Sequence, residues 1–179
     1  MITETNIKDC CIITPVSNED YRGEYVETWN KESYSKIKDI DWKQDDFSFS
    51  HQGVLRGLHG DWKTWKLVQS VHGRLFLAVV DLRRDSETYC EVFTTVLSIR
   101  NHNQVLVPPG CANGHQCLSD TCTFHYKQSE YYDAESQFTL DYKDEMLAID
   151  WPIKNSILSE RDKKGLRFLD ISKENMRKL

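Results

Sequence analysis

Short apolar segments separated by regularly spaced turn signals run through the middle of the chain and constrain its fold more than any other feature. Residues 75–80 form a continuous apolar run, and His72-Gly73 just before it is a pair typical of a tight turn. Residues 89–99 are rich in valine, threonine and aromatic side chains, as β-strands are. Gln104–Val107 then stops at Pro108-Pro109-Gly110. The spacing of about 8–12 residues between turns predicts a β-sandwich or barrel.

Further segments extend this β pattern, whereas helical signals are sparse. Residues 116–118 and 121–127 predict two more short strands, and residues 30–37 predict one helix with an asparagine cap. Residues 159–162 predict a turn or a 3₁₀ segment, and the last residues favour a short helix or a frayed end. The sequence therefore predicts a mostly β protein, a jelly-roll double sheet with small helical additions. A barrel of this kind is wide enough to hold a small ligand.

Composition narrows the functional classes. A length of 179 residues suits a single domain over positions 1–179. Acidic side chains outnumber basic ones by 28 to 23, which argues against binding to nucleic acid. No apolar stretch reaches the ~18 residues of a membrane span and the first residues lack the core of a signal peptide, so we expect a cytoplasmic protein without a membrane partner. The six cysteines include no Cys-x-x-Cys pair, which predicts reduced thiols and no structural zinc site.

Three residues in and after one strand-like run could carry chemistry. Arg56 and His59 lie three positions apart, and Lys66 begins the next strand-like segment. Neighbouring strands could aim all three side chains into one interior. Histidine is the side chain best suited to move protons near neutral pH, and a fixed cation beside it would stabilise an oxyanion or enolate. Taken singly, each of these residues is more often an ordinary surface charge than a site residue.

Polar residues further along the chain extend the candidate site. Asn113 and His115 follow the Pro109-Gly110 turn two positions apart, which places them on one face of any strand. Tyr126 and Tyr132 come next, and a tyrosine held near an active centre can act as a general acid.

Six motifs follow one another along the chain. They are Gly53-Val54-Leu55-Arg56-Gly57-Leu58-His59, Lys66-Leu67-Val68, Val80-Asp81-Leu82-Arg83, Pro109-Gly110, Ile149-Asp150-Trp151-Pro152 and Leu158-Ser159-x-x-Asp162. In this order, over residues 22–162, they resemble the dTDP-4-dehydrorhamnose 3,5-epimerase-like proteins, a cupin-related jelly-roll group of sugar epimerases. Each motif is weak alone, and the resemblance rests on their common order.

The resemblance implies an epimerase that acts beside the 4-keto group of a nucleotide sugar, without a metal or another cofactor. It makes His59 the base that removes a proton next to the ketone, with Asp162 orienting its imidazole. Lys66 would stabilise the enolate oxygen, and Tyr126 would return a proton from the opposite face. A set of substrate-binding residues is also implied: Arg56, Tyr132, Asn113, His115, Arg22, Gln44 and Glu27.

Departures from the rhamnose pattern indicate a particular branch. The chain reads Ala112-Asn113-Gly114-His115 where rhamnose enzymes usually have Ala-His-Gly-Phe, and its segment between His59 and Lys66 is shorter. These features resemble the epimerases of GDP-6-deoxy-4-keto-heptoses in bacterial capsule pathways. The resemblance also implies a homodimer formed by strand exchange, in which Arg22 could reach the neighbouring subunit's diphosphate.

Four alternatives remain open. The first is a dTDP-4-keto-6-deoxyglucose 3,5-epimerase of the rhamnose pathway, and the second is a sugar 3,4-ketoisomerase of the same fold. The third is a binding module that holds a nucleotide sugar without turning it over. A metal-dependent cupin is disfavoured, because Asp61 stands where such proteins need a second histidine.

Overall fold

Thirteen short strands supply most of the regular structure in residues 1–174, the part of the chain that the computed structural model describes, with side chains through residue 171. The strands are β1 (Ile2–Glu4), β2 (Cys11–Ile13), β3 (Ser17–Asp20), β4 (Gly23–Val26), β5 (Gln44–His51), β6 (Leu55–Gly60), β7 (Lys66–His72), β8 (Arg74–Asp81), β9 (Val92–Ser98), β10 (Gln104–Val107), β11 (Cys111–Cys117), β12 (Thr121–Gln128) and β13 (Phe138–Thr139). Helical structure is limited to α1 (Lys31–Tyr34), a 3₁₀ helix (Asp162–Lys164) and α2 (Phe168–Glu174). The prediction of a mostly β chain with small helical additions is confirmed. No helix in this part of the chain is long and apolar enough to cross a membrane.

Two antiparallel sheets form the body of the molecule. One has six strands in the order β1-β2-β10-β7-β12-β5, and the other has five in the order β13-β6-β11-β8-β9. A separate hairpin pairs β3 with β4. Consecutive strands often lie in different sheets, as a jelly roll requires.

Side-chain alternation along the central strands places the main core between the sheets. In β8, Leu75, Leu77 and Val79 belong to this core, while Ala78 and Val80 belong to a second cluster on the other face. Both faces of the five-stranded sheet are therefore buried, which explains why residues 75–80 are continuously apolar rather than alternating.

The outer face of each sheet is covered by irregular segments. Trp151 and Phe168, from the C-terminal part of the chain, pack in the second cluster on the five-stranded sheet. Trp29 and Tyr34 pack near Leu67 on the outer face of the six-stranded sheet. The core between the sheets and the clusters on their two outer faces together give a small domain a large apolar contact area.

Several predicted boundaries need correction. The strand predicted at 116–118 has the wrong bounds, because its first two residues are the end of the longer strand β11 and the third lies outside it. The glycine and asparagine of β11 resemble turn residues, yet they occupy a central strand between β6 and β8. The predicted helix at 30–37 is only one turn long, although Asn30 caps it by accepting a hydrogen bond from the Ser33 N–H at 2.7 Å. Part of the predicted terminal helix is α2, and residues 175–179 lie outside the described residues.

A bulge in β6 sets the direction of two candidate site residues. Asn113 of β11 is opposite His59, whereas His115 is opposite Arg56, so β6 has one residue more than β11 in this stretch. Side chains three positions apart in a regular strand point to opposite faces, and the extra residue returns Arg56 and His59 to the same face. Gly57 lies in the bulge with φ of 126°.

We expect Gly57→Ala to destabilise the fold strongly. A Cβ at this position would lie 2.5 Å from the Gly114 Cα and would also oppose the positive φ, so the loss should exceed about 2 kcal/mol. Urea denaturation would measure it. Gly23→Ala is the matched control, because Gly23 has φ of 118° but nothing within 4 Å of the added Cβ. Equal losses in the two variants would contradict the role of the close approach between β6 and β11.

Candidate active site

A cavity of about 450 Å³ lies between the two sheets. Polar side chains from both sheets and from the segment around the 3₁₀ helix line it: Gln44, Asp46, Ser48, Arg56, His59, Lys66, Asn113, His115, Tyr126, Gln128, Tyr132, Gln137, Ser159, Arg161 and Asp162, together with Phe47 and Phe124. Nine of the eleven residues predicted as catalytic or substrate-binding are in this set. Residues distant in sequence thus meet in one concave site of the size that small ligands use.

His59 and Asp162 form a hydrogen-bonded pair on one wall of the cavity. The His59 Nε2 lies 2.6 Å from the Asp162 Oδ1, and the Ser159 hydroxyl donates to the Asp162 Oδ2 at 2.8 Å. Asp162 is only 3% exposed. Burial raises the pKa of Asp162, but the hydrogen bonds from His59 and Ser159 outweigh that effect and hold the pKa below its ordinary value. The carboxylate therefore stays ionised and fixes the orientation of the imidazole.

Lys66 brings a buried cation to the opposite sheet. It begins β7 and is 7% exposed, and its Nζ lies 3.5 Å from the Asn113 Oδ1 across the cavity. Burial lowers the pKa of Lys66, and the charge of Asp61 partly offsets that shift. The ammonium contacts an amide oxygen rather than a carboxylate, so its charge is available to an anion that enters the cavity.

His115 and Phe124 separate the cavity from the apolar core. Their rings stack with centroids 4.1 Å apart and planes inclined by 16°. His115 is 3% exposed, and its Nε2 has no hydrogen-bond partner among the described residues. Burial lowers the pKa of His115 to about 3, and electrostatic interactions with Arg56 and His59 add to the shift. The imidazole is therefore neutral at physiological pH.

Tyr126 projects into the cavity from β12 in the six-stranded sheet, and so faces His59 from the opposite sheet. Burial raises the pKa of Tyr126, and the nearby Asp46 carboxylate raises it further. Asp46 is the register partner of Tyr126, and its Oδ2 accepts hydrogen bonds from Gln44 at 2.6 Å and Gln128 at 2.9 Å. The phenol is consequently protonated over the physiological range.

Two arginines line the cavity and are exposed to solvent. Arg56 donates to the Ser50 hydroxyl at 3.0 Å and to the Phe49 carbonyl at 3.2 Å. Arg161 donates to the Thr139 hydroxyl at 2.9 Å and approaches the Tyr132 hydroxyl at 3.5 Å. None of these contacts is with a carboxylate, so both guanidinium groups can attract an anion.

Arg22 and Glu27 are not brought to this cavity. Arg22 lies in the turn between β3 and β4, where its guanidinium pairs with Asp20 at 2.6 Å and its side chain is 75% exposed. Glu27 is exposed and bonds with Asn30 at the start of α1. The hairpin has its own two-stranded pairing and belongs to neither large sheet, so a role for these residues depends on a surface outside the cavity of this chain.

Sequence reasoning did not assign site roles to Arg161, Gln137, Asp46 and Gln128. Arg161 precedes Asp162 in a quoted motif, and Asp46 lies two residues after the predicted Gln44 on the same face of β5. Strand alternation from Gln44 could therefore have indicated Asp46, whereas the position of Gln137 depends on a loop without periodicity.

Asp61 has a structural role instead of a ligating one. Its Oδ1 accepts hydrogen bonds from the backbone N–H groups of Lys63 at 2.9 Å and Thr64 at 2.7 Å, which closes the short turn between β6 and β7. Across the part of the chain that the structure describes, no group of three or more His, Cys, Asp or Glu side chains could hold a metal ion.

A paired histidine and carboxylate that face a protonated tyrosine across a two-sheet cavity are typical of an enzyme that transfers protons to and from a bound ligand, which is the chemistry of an epimerase. Comparison with known proteins agrees: residues 4–170 match the family model described as dTDP-4-dehydrorhamnose 3,5-epimerase. The chain belongs to this family. It is accordingly an isomerase-class epimerase, and the family predicted from the six motifs is confirmed.

Individual relatives are similar over nearly their whole length. The dTDP-4-dehydrorhamnose 3,5-epimerase of Escherichia coli is 36% identical over 169 residues, which cover 91% of both chains. The crystal structure of the enzyme of that name from Elizabethkingia anophelis superimposes with a TM-score of 0.90 at 38% identity, covering 95% of this chain and 97% of that one. A dTDP-6-deoxy-D-glucose-3,5-epimerase from Legionella pneumophila, solved with dTDP-4-keto-L-rhamnose, gives a TM-score of 0.93 at 36% identity, with coverage of 97% and 95%. These neighbours confirm the cupin-like jelly-roll fold.

We expect Asp162→Asn to lower stability by about 1–3 kcal/mol at pH 7, because the charged acceptor for His59 is lost. Since folding lowers the pKa of Asp162, the carboxylate stabilises the wild type above the unfolded-state pKa of about 3.9. That stabilisation is lost as pH falls through the lower folded-state pKa. The gap between variant and wild type should therefore narrow below about pH 4 in urea unfolding titrations.

Asp150→Asn provides the control for this titration, because the Asp150 side chain is 90% exposed and pairs only at the surface with Lys154. Its effect should stay within about 0.5 kcal/mol. A constant gap between Asp162→Asn and wild type down to pH 2 would show that the carboxylate is not a stabilising anion in the folded protein.

Proposed function

We propose that the chain inverts C3, C5 or both in a nucleotide-linked 4-keto-6-deoxy sugar, by deprotonation to an enolate and reprotonation. The observation that supports this most directly is the His59–Asp162 pair on one sheet facing Tyr126 on the other within a single cavity. A C4 ketone acidifies the hydrogens on C3 and C5. Inversion then needs a base on one face of the ring and an acid on the other.

His59 is the proposed base. One ring nitrogen is held by Asp162, which leaves the other for the proton at C3 or C5. When His59 becomes an imidazolium, the buried carboxylate stabilises the new charge at the same distance, so no reorganisation is required.

Lys66 is the proposed partner of the C4 oxygen. As the enolate forms, negative charge moves from the breaking C–H bond to that oxygen, and a buried ammonium without a carboxylate contact stabilises it strongly. Asn113, 3.5 Å from the Nζ, keeps the cation at the centre of the cavity without neutralising it.

Tyr126 is the proposed acid that returns a proton from the opposite face. Its phenol is kept protonated by burial and by Asp46. Tyr131 is 72% exposed and does not line the cavity, whereas Tyr132 does, which favours Tyr132 as the second tyrosine that contacts the substrate.

The diphosphate is proposed to bind at Arg56 and Arg161, the two exposed arginines of the cavity. The amide of Gln44 accepts from the Tyr132 backbone N–H at 2.9 Å and so shapes the same edge. Arg22 and Glu27 remain predicted contacts to the substrate, and we propose that they act through a second subunit, since neither lines the cavity of its own chain. The homodimer is likewise a proposal.

The nucleotide is proposed to be dTDP. The similar proteins named above act, by their names, on dTDP sugars, and the Legionella pneumophila structure contains one. This favours the rhamnose-pathway alternative over the GDP-heptose interpretation, which rests on Asn113, His115 and the short segment after His59. GDP-4-keto-heptose, in capsule or surface polysaccharide synthesis, remains the second candidate on those features.

Parallel incubations with dTDP-4-keto-6-deoxyglucose in deuterated water, with and without EDTA, test the proposal. We expect deuterium at C3, C5 or both, counted by mass spectrometry and NMR, and we expect His59→Asn to abolish incorporation while the folded state persists in circular dichroism. His125→Asn is the matched control, because His125 lies on the outer face of β12 and bonds with Gln69.

The same incubation, repeated in parallel with GDP- and CDP-4-keto sugars, identifies the nucleotide that the enzyme accepts. Incorporation only with a GDP-heptose would overturn the dTDP assignment. Incorporation accompanied by migration of the keto group would indicate a 3,4-ketoisomerase instead of an epimerase. Wild-type binding without any incorporation would indicate a nucleotide-sugar binding module, and loss of activity with EDTA would indicate a metal enzyme.

A further inference from the structure

The buried imidazole of His115 has no function in the proton transfers described above. It lies beside Arg56 in the β6–β11 register, and its ring closes the cavity against the core by stacking on Phe124. An apolar ring would fill the same place without a polar atom. The Nε2 of His115 is enclosed and has no partner among the described residues, so a polar ring at this position costs stability. The ring nevertheless lines the cavity, which indicates that the edge of the imidazole that faces the cavity bonds a ligand.

The chemistry of the imidazole limits which ligand groups can form a hydrogen bond with it. In a neutral imidazole one ring nitrogen donates and the other accepts, so the nitrogen that faces the cavity does either, depending on the tautomer. A hydroxyl pairs with both tautomers, whereas a phosphate or a ketone oxygen pairs only with the donor. An anion also binds more favourably at the exposed arginines, because His115 is only 3% exposed and is uncharged. A sugar hydroxyl is therefore the group that this site fits best.

The position of His115 favours the hydroxyl at C2. Lys66, the proposed partner of the C4 oxygen, contacts Asn113, which is opposite His59. His115 lies two residues further along β11 and is opposite Arg56, so it contacts a part of the sugar other than C4. C2 is separated from C4 by one ring carbon and carries the ring hydroxyl that stays in place through the reaction. The C3 hydroxyl, in contrast, changes direction when that centre inverts.

On the basis of the proposed function, we propose that His115 is a specificity-determining residue whose imidazole hydrogen-bonds the 2-hydroxyl of the 4-keto sugar. The enzyme thereby discriminates against 2-deoxy sugars. The stack on Phe124 fixes the ring plane, so the hydrogen bond is directional rather than adaptable.

The test compares dTDP-4-keto-6-deoxyglucose with dTDP-4-keto-2,6-dideoxyglucose, which keeps the acidic hydrogens at C3 and C5. For the wild type, kcat/KM for deuterium incorporation should be about tenfold or more higher with the 2-hydroxy sugar, as expected when a polar group in the site is left without its partner. His115→Phe, which keeps an aromatic ring against Phe124, should reduce this ratio to about one by slowing only the hydroxylated substrate. His125→Phe, outside the cavity, should keep the wild-type ratio.

A second readout separates this role from a structural one. Because His115→Phe removes a buried nitrogen without a partner, the free variant should melt at the same temperature as the wild type or higher. If this variant does not fold, His115→Leu provides the same comparison. A ratio unchanged in the folded variant, or a wild type that uses both sugars equally, would overturn the inference while leaving the proposed epimerase intact. A wild type that exchanges neither sugar would instead contradict the proposed action on dTDP sugars.

Discussion

The extra residue in β6 is the constraint on which the rest of the site depends. It returns Arg56 and His59 to one face of the strand, and it requires the backbone of Gly57 to approach Gly114 of β11. Without it, a regular strand would direct one of these side chains toward the outer apolar cluster. The jelly roll provides the two facing sheets, but this local irregularity determines which side chains enter the space between them.

The cavity holds charged and polar groups away from solvent. Among the described residues, Lys66 has no carboxylate contact and the Nε2 of His115 has no hydrogen-bond partner, while Asp162 is ionised although nearly inaccessible. The unpaired nitrogen and the buried ammonium cost stability, and the apolar clusters on both sides of the five-stranded sheet offset that cost. Charge is thus held in place before the substrate arrives, which is the condition for stabilising an enolate without reorganisation.

Much of this arrangement could be predicted from the sequence, because strand alternation is local. The apolar run at 75–80, the strand Gln104–Val107 and the shared face of Asn113 and His115 all follow from period-two patterns. The pairing of His59 with Asp162 could not be worked out that way, since the partners are 103 positions apart and meet through a 3₁₀ turn. It was predicted only through resemblance to a family. The contribution of Arg161 was missed for the same reason, and the hairpin with Arg22 has no buried face that would indicate where it packs.

The central claim is that base and acid act from opposite sheets, and therefore on opposite faces of the sugar ring. The most direct measurement is the stereochemistry of deuterium incorporated by Tyr126→Phe, with Tyr131→Phe as the exposed control. His59 can still remove a proton and return a deuteron to the face it came from, so the account predicts slow incorporation with retained configuration and little inversion. Inversion at the wild-type rate in Tyr126→Phe would contradict it.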